Sequence, residues 1–299
     1  IIPIALLKVN TKPLIFPFAD IIIGSSSDKR SVNKIMKVYI SVDIEGTAGT
    51  TSWAATELGD KEHAAAAREM TLEAVAACEG VLQAGADEIY VKDAHDSGRN
   101  MDLSLFPKEA KVIYDWSLTP DSMIAGLDDS FDALLFVGYH SPAGLAGSPL
   151  CHTMNLNNSW VKINGHLASE FTLHSLLAAS KGVPSVFLSG DQALCEHSRR
   201  LVPELTTVAV KDCLGRATIN LSSQMALDQI REGAARSLAH KEGCLPEVPE
   251  ELTLEIRFKD YFRALRASYY PGVIRLDDFT VSYTARTMDQ LMTARMFIL

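Results

Sequence analysis

Apolar residues in this chain gather into short runs that stop at charged or glycine-rich turns, and longer stretches between them repeat every three or four positions. Val38, Ile40 and Val42 alternate with other strand-forming residues, which predicts a buried strand over Lys37 to Val42 ending in Asp43-Ile44-Glu45-Gly46. A helical stripe of Ala67, Met70, Ala74, Cys78, Val81 and Leu82 follows, with Asp60 as its cap and Gly85 as its stop. Glu88 to Val91 then reads as a second strand running into Lys92-Asp93-Ala94-His95. Strand, helix and strand in succession form a βαβ unit, so the two strands are parallel neighbours with their carboxyl ends side by side.

Lys111 to Tyr114 predicts a third strand, and Ala133 to Val137, the most hydrophobic, a fourth that leads into Gly138-Tyr139-His140. Asn164-Gly165 marks a tight hairpin, Ser169 to Ser180 a helix with Glu170 in its first turn, and Val186 to Leu188 a fifth strand before a helix over Gln192 to Leu201. Thr206 to Val210 is a sixth strand, and a helix runs from Ser223 to His240. The last part differs: Leu252, Leu254, Ile256 and Phe258 alternate as a half-buried strand, Val273 to Tyr283 suggests a hairpin, and Met288 to Phe297 closes as a helix. The pattern predicts an α/β fold, a mostly parallel sheet flanked by helices with a metal site at the strand carboxyl ends, plus a smaller C-terminal α+β domain. Expected boundaries are an extension outside the fold over residues 1–35, a metal-binding α/β domain over 36–204 and the C-terminal domain over 205–299. Met36, the first methionine, stands one residue ahead of the opening strand.

Composition narrows the function. With 47% hydrophobic and 22% charged residues, 299 positions suffice for one large core or two medium ones. Net charge is −9 and no Lys/Arg run exceeds a pair, so the chain lacks the footprint of a nucleic-acid or anionic-lipid binder. No apolar run reaches the roughly 20 residues of a membrane span. Five widely spaced cysteines without a CxxC pair suit reduced thiols in a cytoplasmic protein.

The candidate chemistry lies where the strands stop. Asp43 and Glu45 are two residues apart, so in extended chain both carboxylates point to one side, and His95 and His140 arrive at the same sheet edge from neighbouring strands. Oxygen and nitrogen donors delivered together suit a divalent transition metal, zinc by preference over manganese or cobalt, and several carboxylates hint at two ions. Asp93, two residues before His95, is placed to orient its imidazole. By spacing alone Glu170 is a charge at a helix N-terminus.

Ser41-Val42-Asp43-Ile44-Glu45-Gly46, Lys92-Asp93-Ala94-His95, Gly138-Tyr139-His140, Cys151-His152-Thr153-Met154 and Ala168-Ser169-Glu170 resemble, in order and approximate spacing, the zinc-dependent D-aminopeptidases of the dipeptide-operon type. The resemblance runs from Met36 to the C-terminus and includes Ala209-Val210-Lys211 and Thr280-Val281-Ser282-Tyr283. It implies two zinc ions per subunit bridged by Asp43, one completed by Glu45 and His140 and the other by His95 and Glu170. It implies that His152 is the catalytic residue, that short peptides or amides with an N-terminal D-residue are the substrates, and that the subunits form a ring-shaped homo-oligomer. His63, His166, His174, His197 and His240 match none of these motifs and read as surface or packing residues. The competing readings are a two-metal amidohydrolase of another substrate and a non-catalytic metal- or peptide-binding protein, which would have no need of His152.

Overall fold

The computed structural model describes residues 35–299. The extension expected over residues 1–35 lies outside them except for Ile35, which is exposed. The chain runs β1 (Lys37–Val42), α1 (His63–Gln83), β2 (Glu88–Asp93), β3 (Ala110–Ile113), β4 (Ala133–Tyr139), β5 (Asn158–Ile163), β6 (His166–Leu167), α2 (Glu170–Ser180), β7 (Ser185–Asp191) and α3 (Gln192–Ser198). It continues through β8 (Thr206–Leu214), β9 (Ala217–Asn220), α4 (Ser223–Ser237), β10 (Leu252–Phe258), α5 (Tyr261–Ala267), β11 (Ile274–Arg275), β12 (Thr280–Ala285) and α6 (Met288–Ile298). Every predicted strand and long helix is present within a few residues, whereas β9 and α5, of four and seven residues, are too short to carry a periodic signal.

Seven strands form the main sheet in the order β3-β2-β1-β4-β7-β8-β9, parallel throughout except for the last pair. From β1 the chain winds outward to β2 and β3, then returns to the other side of β1 as β4 and continues through β7 to β8. The order therefore reverses between β1 and β4, and the crevice beyond their carboxyl ends is the switch point where open α/β sheets bind ligands. Right-handed crossovers running in opposite directions from this centre put α1 and α2 on opposite faces of the sheet. Helix α1 packs on α4, so closely that a Cβ on Gly80 would come within 2.3 Å of the Arg231 carbonyl oxygen. Covered on both sides, β4 and β7 are buried at every position.

The remaining strands form an antiparallel sheet, β11-β12-β10-β5-β6. Its hairpin between β5 and β6 turns at Asn164 and Gly165, whose positive φ values of 48° and 81° are those a type I′ turn requires. The two sheets exchange strands across residues 204/205, where the sequence reading divides the chain: β8 and β9 complete the parallel sheet, and β5 and β6 belong with the strands near the C-terminus. Among the described residues no helix is long and apolar enough to cross a membrane.

Candidate metal centre

Asp43 is the first residue beyond β1, and its amide donates to Val137 O of β4 at 2.9 Å. Ala94 N, beyond β2, donates to Val42 O at 2.8 Å, so the ends of three adjacent strands are tied together by backbone bonds. This crossing leaves no room for side chains. A Cβ on Gly46 would lie 1.8 Å from Tyr139 O, and one on Gly138, at φ +70°, would lie 2.2 Å from Asp43 O. Beside the crossing, Asp191 at the end of β7 accepts from Ser141 N at 2.7 Å and fixes the residue after His140. Ser169 and Thr172 close a capping box at the start of α2, which sets Glu170 in the first turn facing the same crevice.

These elements bring all six predicted residues together, with Asp43, Glu45, His95, His140 and Glu170 buried and His152 nearly so. His95 Nδ1 lies 3.2 Å from Asp43 Oδ1 and 3.0 Å from Glu45 Oε2. His140 Nε2 lies 3.5 Å from Asp43 Oδ2 and 3.4 Å from Glu170 Oε2. Asp43 thus presents one oxygen to each of two groups, Asp43–Glu45–His95 and Asp43–His140–Glu170, whose donor atoms fall within 4.8 Å of one another. A third such group joins Glu45 and His140 to His152. The resemblance implied that Glu45 goes with His140 and His95 with Glu170. Glu45 lies in one donor group with His95 and in another with His140, because β1 stands between β2 and β4, and Glu170 shares a group with His140, beside which α2 docks.

Each imidazole gives one nitrogen to the backbone and leaves the other to the crevice. His95 Nε2 bonds to Thr56 O at 2.8 Å, His140 Nδ1 to Ser141 O at 3.0 Å and His152 Nδ1 to Leu150 O at 2.9 Å. This is the arrangement by which outer carbonyls fix the tautomer of a metal-ligating histidine. Asp93, expected to orient His95, instead accepts from Asn100 N, Asn100 Nδ2 and Met101 N and holds the following loop; Asn100 in turn bonds to His95 O at 2.8 Å. Glu170 Oε1 accepts from Met154 N at 2.6 Å. The His140 and His152 rings stack with centroids 4.2 Å apart, and Trp53 meets His152 edge-on.

The electrostatics call for cations. Burial pushes the Asp43 carboxyl well above its ordinary value, and the Glu45 charge adds to the push. Burial also opposes ionisation of Glu45 and Glu170, but His95 holds Glu45 well below its usual range and His140 brings Glu170 down to about 2. Burial lowers the two histidines and the carboxylates outweigh it, raising His95 well above normal and His140 to about 10. Glu45 and Glu170 thus draw protons onto His95 and His140, where a divalent ion would supply the positive charge and leave the imidazoles neutral. Glu45 Oε2 and His140 Nε2 are buried without a hydrogen bond, which is the condition of atoms left for a ligand. The donor set fits two metal ions. Burial and the neighbouring His140 charge lower His152, keeping it neutral near pH 7.

A cavity of about 480 Å³ opens over this floor, walled by Trp53, Trp116, Glu57, Asp96, Ser122 and Met154 among others, with no lysine or arginine in its lining. Six described residues other than glycine have positive φ, and three of them, Asp96, Ser122 and Met154, line the cavity, while Asp115 and Leu118 flank Trp116. Strained backbone gathered at a cleft is characteristic of ligand sites. The five other histidines line no part of it. Thr56, Trp53 and Trp116 were not singled out in the sequence, since a backbone acceptor and an isolated indole carry no local pattern.

Fold and site define a metal-dependent hydrolase of the α/β class, with a shared carboxylate at the sheet's switch point. A family model for D-aminopeptidases, the M55 peptidases, matches residues 36–297. The chain belongs to this D-aminopeptidase family. It is 31% identical over 256 residues to the D-aminopeptidase of Bacillus subtilis (strain 168), a match spanning 85% of this chain and 93% of that one. Among solved structures it resembles the Zn-dependent D-aminopeptidase DppA from Bacillus subtilis, described as a self-compartmentalizing protease, with a TM-score of 0.83 and 30% identity over 88% of this chain and 96% of the other.

Proposed function

We propose that this protein is a two-zinc aminopeptidase that removes an N-terminal D-amino acid from short peptides or amides. The observation that carries the reading is Asp43, whose two oxygens face two separate sets of buried donors. Asp43, Glu45 and His95 would hold one ion, and Asp43, His140 and Glu170 the other. Zinc at such a pair supplies Lewis acidity and lowers the pKa of water toward neutrality.

The chain's own residues supply the rest. His152 has its Nδ1 bonded to Leu150 O, so the neutral ring keeps the Nε2 lone pair toward the crevice, 3.6 Å from Glu170 Oε1. It is the group to take a proton from the nucleophile and return it to the leaving amine. Trp53 and the stacked His140 ring hold that imidazole in place. A cavity rich in carboxylates and without lysine or arginine in its lining favours the ammonium end of a peptide over its carboxylate end, as an aminopeptidase requires. Preference for a D-residue is supported by the family and zinc as the native ion by the likeness to Zn-dependent DppA. The description of DppA as self-compartmentalizing supports a homo-oligomer, for which a ring is the form the motif resemblance implies. Cysteines free of disulfides among the described residues suit a cytoplasmic setting.

The test is release of free amino acid from matched D-alanyl and L-alanyl dipeptides by the zinc-loaded full-length chain. Release from the D-peptide alone, abolished by chelation, is the expected result. Equal release from both peptides would overturn the stereochemical reading, and no release with two zinc ions bound would overturn the peptidase reading.

A further inference from the structure

The loop that carries Asp43 and Glu45 is held from behind by polar groups that the proposed chemistry does not use. Lys211, near the carboxyl end of β8, is only 2% exposed. Its ammonium donates to three backbone carbonyls of one loop: Glu45 O, Thr47 O at 3.2 Å and Thr50 O at 2.7 Å. From α1, the fully buried Glu73 accepts from Ala48 N at 2.8 Å. From β9, Asn220 Oδ1 accepts from Gly49 N at 3.0 Å. Five backbone groups between residues 45 and 50 are therefore satisfied by side chains from three other elements. Lys211 and Glu73 do not form a salt bridge with each other; each is committed to the loop.

Burying an ammonium is costly, and an ammonium has three donors and no acceptor. Three carbonyls turned toward one point are the matching partner, and no apolar side chain could satisfy them. Burial lowers Lys211 to about 8, with the Asp191 charge opposing the shift, so it carries its charge at neutral pH.

We propose that Lys211 is a positioning residue for the metal centre: its three bonds to the 45–50 loop fix the backbone of Glu45 so that the Asp43–Glu45–His95 ligand group is preformed. This rests on the two-metal reading above. The consequence is asymmetric. The other group owes its geometry to β4 and to α2, with Met154 N on Glu170, and Lys211 touches neither. Removing the lysine weakens one metal position and spares the other.

The experiment is chelator competition on the full-length chain with Co2+, followed by its visible absorption, for wild type and Lys211→Met. Two equivalents are expected in wild type. In the variant one equivalent is held about 10- to 100-fold more weakly, the range seen when outer partners of a ligand are lost. Excess metal restores most of kcat to Lys211→Met but not to His152→Ala. Lys211→Gln, which keeps a shorter donor in the same space, gives an intermediate loss at the same position, and it carries the test alone if the methionine variant does not fold. Two equivalents bound with unchanged affinity, or both weakened equally, would overturn the role given to Lys211. A wild-type chain that takes up no metal would instead overturn the two-metal reading itself.

Discussion

The two sheets handle polar side chains in opposite ways. In the parallel sheet, β4 and β7 are buried at every position, and polarity is concentrated at the carboxyl edge, where Asp43, His95, His140 and Asp191 stand within a few residues of the strand ends. In the antiparallel sheet, β10 alternates between buried and half-exposed positions, and its polar groups, Glu255 and Arg257 among them, are spread along one wetted face. A parallel sheet covered on both faces can be polar only where its strands stop, so its charges are few, desolvated and gathered at one place. An antiparallel sheet with an open face disperses them into water, where each counts for little.

Substitutions separate the two cases. Asp43→Ala removes the oxygen shared by both ligand groups; turnover is expected to fall to background with neither metal equivalent retained, as elemental analysis after desalting would show. His152→Ala leaves the ligands in place, and kcat should fall by about 10²- to 10⁴-fold with metal content unchanged. Retained activity in that variant would sever the residue from the mechanism. In the sheet interiors, Leu135→Ala on β4 should cost about 2–5 kcal/mol in denaturant unfolding, whereas Glu255→Ala on the half-exposed side of β10 should stay within about 0.5 kcal/mol. A comparable loss at Glu255 would erase the contrast.

The buried Glu73 of α1 also predicts a pH dependence. Burial raises Glu73 to about 8, opposed by its bond from Ala48 N and the Lys211 charge and reinforced by Glu69. In the folded protein it holds its proton across a range where the unfolded chain has released it, so unfolding liberates a proton and stability falls as pH rises from about 4.5 to 8. Glu73→Gln cannot titrate. Thermal melts of the metal-free protein should show the variant gaining steadily on wild type from pH 5 to pH 8; a constant difference would show that the carboxyl is ionised in the fold.

Strand ends explain how much of the site was legible. Asp43, Glu45, His95 and His140 follow directly from apolar runs that stop at donor residues, because parallel neighbours put their ends side by side. Glu170 did not: its place in the first turn of α2, behind a capping box, is what an ordinary helix start looks like. His152 sits in the connection between β4 and β5, where no periodicity fixes position. The meeting of Glu170 with His140 needed the docking of α2 beside β4, and the work of Asp93 needed the fold of the 97–101 loop. Lys211 stood in a recognised motif, but its partners are backbone carbonyls more than 160 positions away and leave no mark in side-chain chemistry. Strands β8 and β9 joined the first sheet across the expected boundary because hydrogen bonding, which sequence pattern does not record, decides sheet membership.

The left-handed residues at the cavity rim bear on how this protein could be altered. Asp96, Ser122 and Met154 each hold a backbone conformation that costs on the order of 1 kcal/mol for a side-chain-bearing residue and nothing for glycine. Thermal tolerance therefore has a reserve beside the substrate cleft rather than in the core. Drawing on it means stripping the walls that give the cleft its shape, so selection for a hardier fold and selection for a discriminating one pull the same three positions in opposite directions.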